Sequence, residues 1–329
     1  MKSGRLFGIA LVALLAGGCG AGQTSLTLAP SQSPNKDGEG VSLKLVAKSG
    51  FPSGTLHSEH MYSLTYWSRG TQVQGYVAVP PGNGPFPLVT ILHGGEMFGG
   101  HAIGAPYHDN SFPAWNLSRA EAVTYLNHAV VFMPNYRGWG QSHGTVVDTY
   151  GDSLDAINGL KALADVRGLR LNRDVYLEGS STGGDVALLL ASKLPGVRAV
   201  FLWSPYPGAQ QTASWLMEQP QNRLSTNDVG MLADFIRLFG DNLSASGYRE
   251  NSPNYKDIQT PVLIVAGNND PYYPVALMRK LYSDLRAHDN SVELRVFSGG
   301  HAPDSPEAQK AAYTWMRKHF KGAFVTNPS

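Results

Sequence analysis

From residue 87 onward, short apolar runs alternate with longer amphipathic stretches. The runs are PLVTIL (87–92), AVVFMP (129–134), VYLEG (175–179), AVFLWS (199–204), PVLIVAG (261–267) and ELRVF (293–297). Near-continuous apolar segments of this length suit strands buried on both faces, as in a parallel sheet covered by helices. Between them, Leu154, Ile157, Leu160, Leu163 and Val166 recur at helical spacing over 152–168, with Asp152 or Ser153 available as the cap. DVALLLASKL, PVALMRKLYSDLRAH and SPEAQKAAYTWMRKHF read as further helices. Upstream, VSLKLVAK (41–48) and VQGYVAV (73–79) alternate apolar and polar residues, as antiparallel strands with one face buried do. The pattern predicts an α/β fold: a mostly parallel central sheet with helices on both faces and an antiparallel entry. Ligands are then expected beyond the carboxyl ends of the strands. Residues 205–258 are too long for a simple crossover and carry helix-like apolar spacing, so they are expected to form a helical cap insertion. That insertion reads either as a lid that shapes the substrate site or as a surface excursion packed for stability.

The first twenty residues follow another pattern. Lys2 and Arg5 precede an apolar run from Leu6 to Ala16, which ends in Ala16-Gly17-Gly18-Cys19. A basic start, an apolar run of about ten residues and small residues at its end describe an export signal, too short to span a membrane. The segment resembles the lipobox of bacterial lipoproteins, with Ala16 where Leu is commoner. Cys19, the one cysteine in the chain, would carry the lipid. The alternative is an ordinary cleaved signal. The expected organisation is a lipoprotein signal peptide over 1–18, a disordered tether over 19–40 and a catalytic domain over 41–325. The tether expectation rests on its Ser, Gly, Pro and Thr content. The expected location is exported and lipid-anchored in the cell envelope, at the outer membrane or cell surface, with the periplasm as the alternative.

Composition narrows the functional classes. With 42% hydrophobic and 16% charged residues and a net charge of +1, the chain has the material for one sizeable core. It has no basic stripe for nucleic acid. No histidine pair has metal-ligand spacing together with a carboxylate, so neither a metal nor a cofactor is expected.

The chemistry concentrates at three strand ends. After VYLE comes Gly179-Ser180-Ser181-Thr182-Gly183-Gly184 and then a helical run, which is G-x-S-x-G between a strand and a helix. A nucleophilic serine needs a sharp turn, with small residues two before and two after it. Ser181 is the candidate nucleophile, and Ser180 is expected to point away. A serine also needs a base held by a third group. Asp270 follows PVLIVAG, and His301 follows ELRVF across a Gly pair. The order Ser, Asp, His is that of the α/β-hydrolases. His301 is therefore the expected base and Asp270 its orienting carboxylate. Thr182 N–H, first after the nucleophile, is one expected oxyanion donor. The loop His93-Gly94-Gly95 is expected to supply the other, from Gly94 or Gly95. His93 itself reads as structural. Trp203, Tyr206, Tyr272 and Tyr273 flank the strand ends, where they either line an acyl or side-chain pocket or pack the rim.

With these residues in hand, the stretch from Tyr66 to Lys318 resembles the catalytic domain of the prolyl oligopeptidase family, on an α/β-hydrolase fold. The resemblance rests on the HGG loop at His93, Asn135-Tyr136-Arg137-Gly138-Trp139-Gly140, GSSTGG, and SPNYKDIQTPVLIVAGNNDPYYP. Dienelactone-hydrolase-like and acetyl-esterase-like relatives share the individual pieces. The resemblance implies a serine peptidase acting on small extracytoplasmic peptides, and it implies an organising role for Arg137 in its loop. It departs from the large members, whose β-propeller has no counterpart in the short segment before the HGG loop. It departs also from members with a tyrosine in the oxyanion hole just before the Gly pair, where this chain has His93. The rival readings are a carboxylesterase acting on acyl or acetyl esters and, from another class, a non-catalytic binding lipoprotein.

Overall fold

The computed structural model describes residues 26–29, 35–46, 61–95, 103–105, 128–288 and 290–323. The signal segment and Cys19 lie outside them. Eleven strands are described: β1 (Thr27–Leu28), β2 (Gly40–Leu45), β3 (Met61–Ser68), β4 (Thr71–Ala78), β5 (Phe86–Leu92), β6 (Val130–Pro134), β7 (Val166–Arg167), β8 (Leu171–Ser180), β9 (Val197–Trp203), β10 (Val262–Gly267) and β11 (Val292–Phe297). The helices are α1 (Thr149–Ala164), α2 (Thr182–Lys193), α3 (Ala209–Glu218), α4 (Thr226–Phe239), α5 (Ser246–Glu250), α6 (Val275–Arg286) and α7 (Pro306–His319).

Nine strands form one sheet in the order β11-β10-β9-β8-β5-β6-β4-β3-β2. The pairs from β6 to β11 are parallel, whereas β2, β3 and β4 enter antiparallel. Each of the six apolar runs became a strand, and β5, β6 and β10 are buried along their whole length. The period of two sorts their side chains into two cores. Leu177, Val200, Leu202 and Ile264 face one cluster with α2 and α6, while Tyr176, Phe201, Leu263 and Val265 face the other with α7. The chain leaves β5 for β6 on one side and later for β8 on the other. The carboxyl ends of β5 and β8 therefore flank a topological switch point, where such sheets bind ligands.

Three expectations change in detail. Within the stretch expected to be a disordered tether, Thr27 pairs with Arg167 and Leu28 with Val166. Leu26 and Leu28 pack against a third cluster around Leu64 and Phe132, so two leucines suffice to dock this short piece. The first long helix starts earlier than its apolar spacing suggested. Its cap is Asp148, whose carboxylate accepts the Gly151 N–H at 2.9 Å, and neither Asp152 nor Ser153 caps it. Its most buried face is also polar: Asp152, Ser153, Asp155 and Asn158 are buried, while Leu154, Ile157 and Leu160 are only half-buried. Residues 205–258 do form a helical insertion, α3 to α5. Leu216, Met231, Phe235 and Tyr248 of that insertion belong to the main core, together with Tyr206 and Tyr273.

The polar face of α1 has a specific partner. Arg137 donates from Nε to Asp155 Oδ2 at 3.0 Å and from Nη2 to Asp155 Oδ1 at 2.6 Å, and its backbone N–H adds 2.9 Å to Oδ2. Ser68 Oγ donates to the same carboxylate at 2.6 Å, and Arg137 Nη2 returns 3.1 Å to the Ser68 carbonyl. One buried carboxylate thus ties α1, the end of β3 and the loop 135–140 together. Removing one member of a buried, hydrogen-bonded ion pair strands the other charge, at about 3–5 kcal/mol. Asp155→Ala is therefore expected to lose about that much stability in urea unfolding followed by circular dichroism, whereas Arg137→Met with Asp155→Leu loses markedly less.

Candidate active site

Ser181 sits at the joint between β8 and α2 with φ 55° and ψ −126°, a conformation that L-residues avoid. The surrounding backbone holds it there. Its N–H donates to the Trp203 carbonyl at 3.0 Å, and its carbonyl accepts from Gly184 N at 2.9 Å and Tyr206 N at 2.8 Å. The small residues that flank it are steric requirements. A Cβ on Gly179 would lie 2.3 Å from the Gly183 carbonyl oxygen, and one on Gly183 would lie 2.1 Å from that of Leu92. The turn is therefore pressed between its own helix and the end of β5. Ser180 is the last residue of β8, paired across to Trp203.

The loop after β5 lies against the serine. A Cβ on Gly94 would stand 2.6 Å from Ser181 Cβ and 2.8 Å from the Ser180 carbonyl oxygen. Gly95 N–H donates to Thr182 Oγ1 at 3.0 Å, so the hydroxyl beside Ser181 pins the loop to α2. The first amides of a helix have no intrahelical acceptor, so the start of α2 presents donors and the positive end of its dipole beside Ser181 Oγ. His93 is buried, donates from Nδ1 to the Gly94 carbonyl at 2.7 Å, and stacks on Tyr136 at 4.4 Å. Burial lowers its pKa against the lifting effect of backbone hydrogen bonds, which keeps a neutral ring in this apolar stack. Trp139 backs the other glycine, since a Cβ on Gly95 would stand 2.2 Å from the indole.

His301 and Asp270 arrive from the neighbouring strand ends. Nδ1 of His301 donates to Asp270 Oδ2 at 2.8 Å. The other carboxylate oxygen accepts the backbone N–H of Tyr272 at 2.9 Å and of Tyr273 at 3.0 Å. Burial alone would raise the Asp270 pKa. The His301 hydrogen bond and charge and the two N–H groups outweigh it, so the carboxyl stays below its ordinary value and is ionised at neutral pH. Ala302 N–H donates to Ser204 Oγ at 3.0 Å and fixes the histidine loop from the β9 side. Edge contacts from Tyr272 at 5.1 Å and Tyr273 at 5.4 Å hold the imidazole ring.

Ser181, Thr182, Gly94, Gly95, Asp270 and His301 thus converge on one edge of the sheet. Of the four aromatic residues left open between pocket and packing, Trp203, Tyr206 and Tyr273 are buried and Tyr272 is 42% exposed. Two residues gained roles that the sequence did not signal. Ser204 is one, since a lone serine after a strand carries no pattern. Asp185 is the other: it lies buried in the first turn of α2, takes a 2.5 Å hydrogen bond from Thr149 Oγ1, and burial pushes its pKa well up. Among the described residues, no group of three histidine, cysteine or acidic side chains lies close enough to hold a metal.

The chain is similar to several known proteins. Lysophosphatidylserine lipase ABHD12 from Macaca fascicularis is 32% identical over 195 residues, which are 56% of this chain and 45% of the lipase. The chain therefore spans less than half the length of that relative. The uncharacterized peptidase YtmA from Bacillus subtilis strain 168 is 24% identical over 258 residues, 77% of this chain and 90% of that protein. An acetyl xylan esterase from Paenibacillus sp. R4 superposes with a TM-score of 0.60 at 16% identity, over 84% of this chain and 88% of the esterase, a likeness of fold alone. The sequence profile for the alpha/beta hydrolase fold matches residues 92–302, from the end of β5 through His301, and the chain belongs to that family.

Proposed function

We propose that the chain is a serine hydrolase that carries its substrate's acyl group on Ser181, and that its substrates are carboxylic esters. The observation that carries the first half is the strained Ser181 turn at the same sheet edge as the His301–Asp270 pair. In this reading His301 Nε2 takes the Ser181 proton as Oγ attacks the ester carbonyl, and Asp270 holds the imidazole and stabilises the imidazolium. Thr182 N–H and the Gly94–Gly95 loop receive the oxyanion. His301 then gives its proton to the departing alcohol, and water repeats the sequence in reverse roles to free the acid. The resemblance to prolyl oligopeptidases puts peptides first. The 32% identity to a protein named a lysophosphatidylserine lipase moves esters ahead. The peptide reading keeps one specific support, the match to YtmA over most of both chains.

We also propose export and lipid anchoring at Cys19, supported by Lys2, Arg5, the apolar run and the small residues before the cysteine. Cys19→Ala is expected to abolish incorporation of an alkyne fatty acid in cells, and label retained in that variant would contradict the anchor.

A fluorophosphonate probe should label the soluble domain, with labelling lost in Ser181→Ala and kept in Ser180→Ala. A folded protein that takes no label would point instead to a binding lipoprotein. Short-chain nitrophenyl esters are expected to turn over at least about 100-fold faster than aminoacyl arylamides, and comparable rates would move the assignment to a peptidase. Asp270→Asn is expected to lower kcat by about 10³–10⁴-fold by releasing the wrong imidazole tautomer, with little change in KM.

A further inference from the structure

Three side chains from separate elements meet beneath the start of α2. Thr149 opens α1, Asp185 lies in the first turn of α2, and Asn251 follows α5. None of them is more than 2% exposed. Thr149 Oγ1 stands 2.5 Å from Asp185 Oδ2 and 3.2 Å from Asn251 Oδ1. The other contacts of Asn251 fix which of its atoms is the oxygen. Oδ1 accepts the Tyr150 backbone N–H at 2.8 Å, while Nδ2 donates to Asp148 Oδ2 at 3.1 Å and to the Gly247 carbonyl at 2.9 Å. Exchanging oxygen and nitrogen would break all three bonds. The Thr149 hydroxyl therefore lies between two oxygens, yet it carries one proton. Asn251 Oδ1 has none to give. A carboxylate at Asp185 would draw the threonine proton to itself and leave Thr149 Oγ1 and Asn251 Oδ1 as two bare oxygens facing each other. One arrangement serves both contacts: the Asp185 carboxyl donates to Thr149, and Thr149 donates to Asn251.

Burial points the same way. Asp185 Oδ1 has no hydrogen-bond partner among the described residues, and an enclosed carboxylate with one oxygen unpaired costs far more than a neutral acid. Burial is the main cause that lifts the Asp185 pKa well above the ordinary carboxylate value. The charge of Asp148 adds to it, while the Thr149 hydrogen bond and Lys193, at the far end of α2, act against it. The other ionisable groups that feel Asp185 are Tyr206 after β9, Tyr255 in the turn at 255–257 and Tyr273 after β10. Burial pushes each of these phenols upward, so none adds a charge near neutral pH.

We propose that Asp185 is a positioning residue whose neutral carboxyl group, donating through Thr149 to Asn251, locks the first turn of α2 to α1 and to both ends of the helical insertion. Its effect on activity rests on the serine hydrolase reading above. Asn251 is the residue at which the insertion closes. Its carbonyl accepts the N–H of Ala209, the first residue of α3, at 2.7 Å, and Ser252 Oγ accepts that of Gln210 at 2.9 Å. The turn that holds Asp185 also carries the Thr182 N–H. Ionisation of Asp185 would break the Thr149–Asn251 link. It would also set a negative charge against the positive helix end that receives the oxyanion. Asp185 is neutral when folded and ionises near pH 4 when unfolded, so its contribution to stability falls as pH rises above about 4 until the folded carboxyl itself ionises.

Asp185→Asn supplies an amide donor that cannot ionise. At neutral pH the infrared carbonyl band of a protonated carboxylic acid is expected in wild type and missing from that variant. In urea, the unfolding equilibrium constant of wild type is expected to rise relative to Asp185→Asn by up to about tenfold per pH unit above pH 4. Fluorophosphonate should label Asp185→Asn within a few-fold of the wild-type rate, and Asp185→Leu, of similar size but without a donor, at least about 10-fold more slowly. Thr149→Val leaves Asp185 in place and cuts the link, so amide hydrogen exchange at Tyr150, Ala209 and Gln210 should quicken by about 10-fold. The absence of an infrared difference, parallel stability of wild type and Asp185→Asn across pH, equal labelling losses in the Asn and Leu variants, or unchanged exchange in Thr149→Val would each overturn the proposal. Failure of the serine hydrolase reading would show separately, as folded wild type that takes no fluorophosphonate label while the infrared, stability and exchange results stand.

Discussion

The ends of β5 and β8 meet backbone to backbone, with no room for a side chain between them. Gly183 faces the Leu92 carbonyl, Gly179 faces Gly183, and Gly94 faces Ser181, each so closely that an added methyl group would fall inside van der Waals contact. This contact forces the positive φ of Ser181 and brings the start of α2 beside the loop after β5. The rest of the site is arranged around it. Asp270 and His301 come from the ends of β10 and β11, adjacent strands that lie two and three places from β8 in the sheet order.

The contact is supported from behind by a layered stack. Asp155 binds Arg137, which fixes the loop carrying Tyr136 and Trp139. Tyr136 then stacks on His93, and Trp139 fills the space that a side chain at position 95 would need. A buried carboxylate in α1 is thus connected through four residues to the backbone that faces Ser181. In the proposed serine hydrolase mechanism a fixed loop matters because oxyanion stabilisation depends on donors already in place before charge develops.

Much of this was legible in the sequence because it follows from period and spacing. The six apolar runs, the glycines two before and two after Ser181, and the acid and histidine after successive strands each have a single-residue or periodic signature. What was illegible depends on long-range partners. The apolar stripe at Leu154, Ile157 and Leu160 marked a helix but not its most buried face, which is polar because Asp155 meets an arginine from another segment. Leu26 and Leu28 looked too few to order a Ser-rich stretch, yet a two-residue strand needs only β7 beside it. Tyr273 read as pocket or packing, with packing slightly ahead. Its buried ring gains meaning only when β10 and β11 are set side by side and the ring lies edge-on to His301.

The most direct test is a crystal structure of the protein after reaction with a small phosphonate that mimics the tetrahedral intermediate. The account predicts phosphorus bonded to Ser181 Oγ, with one phosphonyl oxygen within about 3 Å of both Thr182 N and a backbone N–H of the Gly94–Gly95 loop. A phosphonate on another residue, or a phosphonyl oxygen turned away from that loop, would contradict the claim that the close β5–β8 contact builds the catalytic site.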